Sequence, residues 1–312
     1  MNKHNINLAK VNIPLVYNPY YSFEFPERHR FPMQKFAHLI EHLKQSGIAT
    51  KNNLYRPGRA RTDLLMLAHC PDYVSAFING NMSDKAIRRM GLPWSEGLVK
   101  RTLISPNGTL LTANLALRHG LACHLAGGTH HAHHDFASGY CILNDLAISA
   151  LALLAQNKVA RVLIFDCDVH QGDGTATILN NTPEVITCSI HCEKNFPQRK
   201  AQSNIDVNVP KGTADTEYLS IVSDTLKRAI DLAKPDLVIY DAGVDVFEDD
   251  PLGLLNISLN GIRERERLVI KMVRERNIPL ATVIGGGYDK DQLALAKRHA
   301  LVIEQAHAYT TQ

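Results

Sequence analysis

Short apolar runs in the second half of the chain set its architecture. Val-Leu-Ile-Phe at 162–165 and Leu-Val-Ile-Tyr at 237–240 are apolar throughout, and Val-Ile-Thr-Cys at 185–188 and Ala-Thr-Val-Ile at 281–284 are β-type runs of the same length. Between them, residues 218–233 and 261–276 carry apolar positions at helical spacing. Apolar strands without alternation, separated by helices, predict a parallel sheet covered on both faces. The first half is more mixed. Leu15, Val16 and Tyr17 predict a short strand bounded by Pro14 and Pro19. Residues 33–45 place Phe36, Leu39, Ile40 and Leu43 on one helical face, with Pro32 as an early helical residue. Residues 79–97, with Gly80, Gly91, Pro93 and Gly97, predict loops around a short helix, and residues 109–125 and 144–156 predict two longer helices.

In such a sheet the ligand site lies beyond the carboxyl ends of the strands. Three runs end there in polar or glycine-rich sequence: Asp-Cys-Asp-Val-His at 166–170, Asp-Ala-Gly-Val-Asp at 241–245 and Gly-Gly-Gly-Tyr at 285–288. Asp168 and His170 are two apart, so in an extended segment they project the same way. A carboxylate and an imidazole suit zinc or another borderline metal. Asp245 offers a third ligand from another strand end, and three protein ligands leave a position open for water, as catalytic metal sites do. Gly127 and Gly128 precede Thr-His-His-Ala-His-His-Asp at 129–135. Adjacent side chains diverge, so His130 and His131 are ill suited to chelating one ion. Beside a metal-bound water they would instead act as a general base and a second proton-handling group, with Asp166 and Asp173 available to orient them. His133 and His134 read as exposed loop residues. The phenol of Tyr288 can donate to a developing oxyanion.

Composition narrows the picture. A chain of 312 residues, 45% hydrophobic and 21% charged, is globular in character and long enough for a large core and a deep pocket. A net charge of +3 and the absence of a basic stripe interleaved with aromatics argue against direct nucleic-acid binding. The basic run from Arg263 to Arg267 alternates with Glu264 and Glu266, which predicts a solvated helix face. Six cysteines without a C-x-x-C pair, and a polar stretch at 1–10 in place of a secretory signal, predict reduced thiols and a cytoplasmic protein. No run of 18 apolar residues predicts a membrane span.

Five ordered motifs carry a family resemblance: Gly-Gly-Thr-His-His-Ala at 127–132, Gly-Tyr-Cys-Ile-Leu-Asn-Asp at 139–145, Asp-Cys-Asp-Val-His-Gln-Gly-Asp-Gly at 166–174, Ala-Gly-Val-Asp at 242–245 and Gly-Gly-Gly-Tyr at 285–288. Over roughly residues 12–305 the chain resembles the histone deacetylase superfamily, which includes acetylpolyamine and acetoin-utilisation relatives, and most of all its class IV branch. The resemblance implies one arginase-like α/β domain spanning 1–312, with three layers and a central parallel sheet of about eight strands flanked by helices. It implies zinc bound by Asp168, His170 and Asp245. The tandem pair His130 and His131 is matched with Asp166 and Asp173 respectively, and His131 is the general base. Tyr288 matches the residue that polarises the acyl carbonyl. Gly139 and Tyr140 match a backbone contact and a wall of the acyl-lysine tunnel, with Phe196 as the opposite wall. Asp166, Asp168, His170, Ser189 and the carbonyl of Ile190 match a structural potassium site. The implied reaction is zinc-assisted removal of acetyl or longer acyl groups from protein lysines, the alternatives being hydrolysis of acetylpolyamines or other small amides and silent acyl-lysine binding. The chain departs from the family pattern at Tyr140, where phenylalanine is usual, and in lacking a match to the rim aspartate that grips a peptide backbone.

Overall fold

A computed structural model describes residues 12–311; the polar stretch at 1–10 lies outside the described residues. Eight strands form one sheet: β1 (Leu15–Val16), β2 (Leu54–Tyr55), β3 (Leu121–His124), β4 (Val162–Asp166), β5 (Val185–Cys192), β6 (Ile205–Val209), β7 (Leu237–Asp241) and β8 (Leu280–Val283). Every pairing is parallel, in the order β2-β1-β3-β8-β7-β4-β5-β6. The central strands β3, β4, β5, β7 and β8 are buried at every position, as uninterrupted apolar runs require.

Among the described residues there are ten α-helices: α1 (Lys35–Gln45), α2 (Thr62–Leu65), α3 (Pro71–Ile78), α4 (Asp84–Met90), α5 (Glu96–His119), α6 (Asp145–Ala155), α7 (Asp173–Leu179), α8 (Asp215–Ala233), α9 (Leu259–Arg274) and α10 (Gln292–Thr311). One layer runs α1-α10-α9-α8 by successive packing, and another runs α5-α6-α7. The predicted parallel sheet with two helical layers is the fold observed.

Several local expectations are corrected. The helix expected over 109–125 begins at Glu96, capped by Ser95, and stops at Gly120. Pro106 and Gly108 mimic a boundary, yet both lie inside a buried helix, where a side chain at Gly108 would strike Tyr21 and His124. Leu121 onward is instead strand β3, because a short apolar run fits either period and pairing with β1 and β8 decides it. Pro32 precedes α1 rather than opening it. Strands β2 and β6 carry no long apolar run and were not expected. The predicted solvated face at 263–267 is half wrong: Arg265 and Glu266 are fully buried and ion-paired at 2.5 Å.

Candidate active site

Four neighbouring strands, β3, β8, β7 and β4, aim their carboxyl ends at one place. The loop after β3 turns at Gly127 and Gly128, both at positive φ, and brings in His130 and His131. A side chain at Gly128 would strike the backbone of Gly285 and the carboxylate of Asp241, so only glycine lets the β3 and β8 loops approach so closely. Asp145, at the start of α6, pins this turn by accepting from the Gly128 and Thr129 N–H groups at 3.1 and 2.7 Å.

Asp168, His170 and Asp245 converge. His170 Nδ1 lies 3.0 Å from Asp168 Oδ1 and 3.1 Å from Asp245 Oδ2. Donors bound at about 2.0–2.1 Å around a tetrahedral ion sit roughly 3.3 Å apart, so the spacing fits a small divalent metal. The remaining carboxylate oxygens are engaged: Gly286 N–H donates to Asp168 Oδ2 at 2.7 Å and Val169 N–H to Asp245 Oδ1 at 2.8 Å. Burial opposes a charge on His170, but Asp168 and Asp245 outweigh it and raise its pKa to about 10. The three side chains are therefore built around positive charge.

Two imidazole–carboxylate pairs stand beside the triad. His130 Nδ1 is 2.7 Å from Asp166 Oδ2, and His131 Nδ1 is 2.6 Å from Asp173 Oδ1. Burial and the neighbouring His130 lower the His131 pKa to about 4, so its ring is neutral at pH 7. With Nδ1–H donated to Asp173, its Nε2 is free to accept a proton. Burial pushes the Tyr288 hydroxyl well above its ordinary range, with Asp245 and Asp168 adding to the rise, so it remains a donor. Asp250 fixes that residue by accepting from Tyr288 N–H at 2.7 Å. His134 is exposed as expected, but His133 is half-buried and reaches Asp173 Oδ2 at 3.1 Å while stacking on Phe136.

Above the triad opens a recess of about 670 Å³ lined by Gly139, Tyr140, Phe196, His131, His170 and Tyr288, with Arg89 and Arg199 also on its walls. Phe196 is 42% exposed, and its ring centre is 4.8 Å from that of His131. Tyr140 packs 5.9 Å from Tyr288. Below lies an inner cavity of about 40 Å³, where Phe31, Phe36, Lys35 and Arg101 face Asp168 and His170. On the β5 side, the parallel register sets Ser189 beside Asp166, with Ile190 following, and the Ser189 hydroxyl is 2.9 Å from His191 Nδ1.

A histone deacetylase domain model matches residues 29–303. The chain belongs to the histone deacetylase family. An uncharacterized protein of Picosynechococcus sp. is 48% identical over 94% of this chain and 97% of its own length. Histone deacetylase 2 of Arabidopsis thaliana is 30% identical over 92% and 76%, and the acetoin utilization protein AcuC of Staphylococcus aureus (strain COL) is 31% identical over 85% and 74%. The crystal structure of the HDA15 HD domain superposes with a TM-score of 0.77 at 20% identity, covering 94% of this chain and 90% of that one, a likeness of fold.

For this deacetylase-family chain, sequence reasoning missed Lys35, Arg101, Asp241 and Asp250. Lys35 had a signal, because it precedes Leu39 and Leu43 by four and eight residues on the buried stripe of α1. Asp241 stood in view as a strand terminus. Arg101 had none, and Asp250 opens the Asp-Pro-Leu-Gly segment at 250–253, part of the family resemblance, where no spacing gives it a role.

Proposed function

We propose that this protein is a zinc-dependent amide hydrolase, a single catalytic domain that removes acetyl or longer acyl groups from lysine side chains of proteins. The observation that carries the reading is the meeting of the Asp168–His170–Asp245 triad, both imidazole–carboxylate pairs and Tyr288 at the floor of one recess. Zinc held by the triad would supply Lewis acidity and a water whose pKa falls toward about 7. His131 takes the proton of the attacking water at Nε2, while Asp173 steadies the cation that forms. Tyr288 donates its hydroxyl to the acyl oxygen as negative charge builds there. The His130–Asp166 pair supports the second proton transfer, to the leaving amine. Gly139, Tyr140 and Phe196 flank the acylated side chain on its way in. A structural potassium ion would suit Asp166, Asp168, His170, Ser189 and Ile190 on the β4–β5 side.

Arg89 and Arg199 at the recess disfavour a polycationic amine, which supports a protein lysine over an acylpolyamine. The test is turnover of acyl-lysine peptides and acylated polyamines of several chain lengths by zinc-loaded protein. Release of acyl groups from the peptides is expected. Activity confined to polyamines would replace the substrate class, and zinc-loaded protein silent on every acyl amide would remove the enzymatic reading.

A further inference from the structure

A second cleft, of about 500 Å³, adjoins the recess and shares Tyr288 and Leu252 with it. Asp250 fixes both shared residues, accepting from Leu252 N–H at 2.9 Å and from Tyr288 N–H at 2.7 Å. His29, in the wall of the second cleft, is 2.9 Å through Nε2 from the carbonyl of Gly91 in the wall of the recess. Joined at these two places, the hollows form one trough that contains the entry to the triad.

Charge in the trough is one-sided. Five exposed cations line it: Arg89 and Arg199 in the recess, and Arg28, Arg30 and Lys290 in the second cleft. None of the five forms an ion pair among the described residues. Three acids share the lining, and two are already engaged, Asp173 with His131 and His133, and Asp289 with Arg298 at 2.6 Å. Glu27 alone remains. Arg89 is also held in place, its guanidinium carbon 3.6 Å from the centre of the Phe136 ring, which stacks in turn on His133. A guanidinium resting on a ring keeps its N–H edge free for a carboxylate and loses little freedom in binding one. A lysine or arginine beside the acylated residue would meet repulsion here, and an aspartate or glutamate attraction.

We propose that this trough docks an acidic segment of the partner protein, so that the acyl-lysines it takes are those flanked by aspartate or glutamate. The proposal rests on the protein-lysine reading of the site and narrows it.

The test is kcat/KM of the zinc-loaded full chain on three peptides of one length, each with a central acetyl-lysine flanked by glutamate, serine or lysine. The glutamate peptide should exceed the lysine peptide about tenfold or more, chiefly through KM, because several exposed pairs worth up to about fivefold each act together. The lead should shrink as salt rises. It should also shrink in the double variants Arg89→Gln/Arg199→Gln and Arg28→Gln/Arg30→Gln, read as a ratio within each variant so that any loss of folded protein cancels. Equal turnover of the three peptides, a lead for the lysine peptide, or a glutamate lead untouched by salt and by both variants would overturn the proposal and leave the hydrolase reading in place. If no peptide is turned over, the protein-lysine reading fails by itself, and fluorescence anisotropy of the same peptides, labelled, decides. Tighter binding of the glutamate peptide, lost in the variants, sustains the docking surface; any other result overturns it. A single-stranded oligonucleotide that binds more tightly than the glutamate peptide and displaces it would assign the trough to nucleic acid and overturn the proposal as well.

Discussion

Tyr288 illustrates how a side chain acquires a task from its surroundings. Its backbone is held by Asp250, and burial, with Asp245 and Asp168 adding to it, keeps its hydroxyl protonated. Replacing it by phenylalanine removes one donor and little volume. Tyr288→Phe should lower kcat roughly tenfold or more with zinc content unchanged, since a single oxyanion donor commonly contributes that much or more. Unchanged kcat in a steady-state assay would take Tyr288 out of the reaction. At this scale the sequence was informative wherever chemistry demands a residue type at fixed spacing. Asp168 and His170 two apart, and the tandem histidines after two glycines, were visible as candidates. The role of Asp250 was not, because its contact with the Tyr288 N–H is a fact of three dimensions.

Among elements, α9 shows why a charge pattern misleads. Arg-Glu-Arg-Glu-Arg reads as a solvated face, yet helical geometry turns Arg265 and Glu266 inward with Ile262 and Val269. Arg265 donates to the carbonyls of Cys167 and Ala242 at 3.2 and 3.3 Å, so one guanidinium ties together the loops bearing Asp168 and Asp245. Glu266 balances it and accepts from the Tyr240 hydroxyl at 2.8 Å. Removing one member of a fully buried pair strands the other, at a cost of about 3–5 kcal/mol. Arg265→Met should lose stability on that order in urea denaturation. Arg265→Met combined with Glu266→Leu should recover part of the loss. A double variant as unstable as the single one would show that the carbonyl contacts, rather than the pair, dominate. The apolar strands were legible because burial on both faces leaves no alternation to confuse. The two-residue β1 was legible through its flanking prolines, whereas β3 was lost to an ambiguity of period and β2 to its brevity.

Across the whole molecule, neutral histidines knit the layers together. His69 donates Nδ1–H to the His133 carbonyl and accepts at Nε2 from Asn144 N–H, which needs an uncharged ring. Burial lowers its pKa to about 4, against an unfolded value near 6.5. Between those values the unfolded chain binds the proton and the folded chain does not, so its contribution is complete above about 6.5 and is lost as pH falls toward 4. His69→Gln isolates this from other titrating groups such as Asp250. The stability gap between wild type and His69→Gln should narrow from pH 7 to pH 4.5 in thermal melts. A gap that stays constant would mean His69 titrates normally. The layered α/β fold was legible because strand and helix patterns alternate along the chain, but the strand order was not, since no local pattern records which strands become neighbours.

That order bears on how the protein is made. β8 is the bridge of the sheet, paired with β3 on one side and β7 on the other. Without β8 the strand order divides into two groups, β2-β1-β3 and β7-β4-β5-β6. The tandem histidines follow the first group, and their carboxylate partners and the proposed metal ligands follow strands of the second. A chain ending before residue 280 would keep the proposed metal ligands yet lack the strand that joins their half of the sheet to the half that precedes the histidine pair.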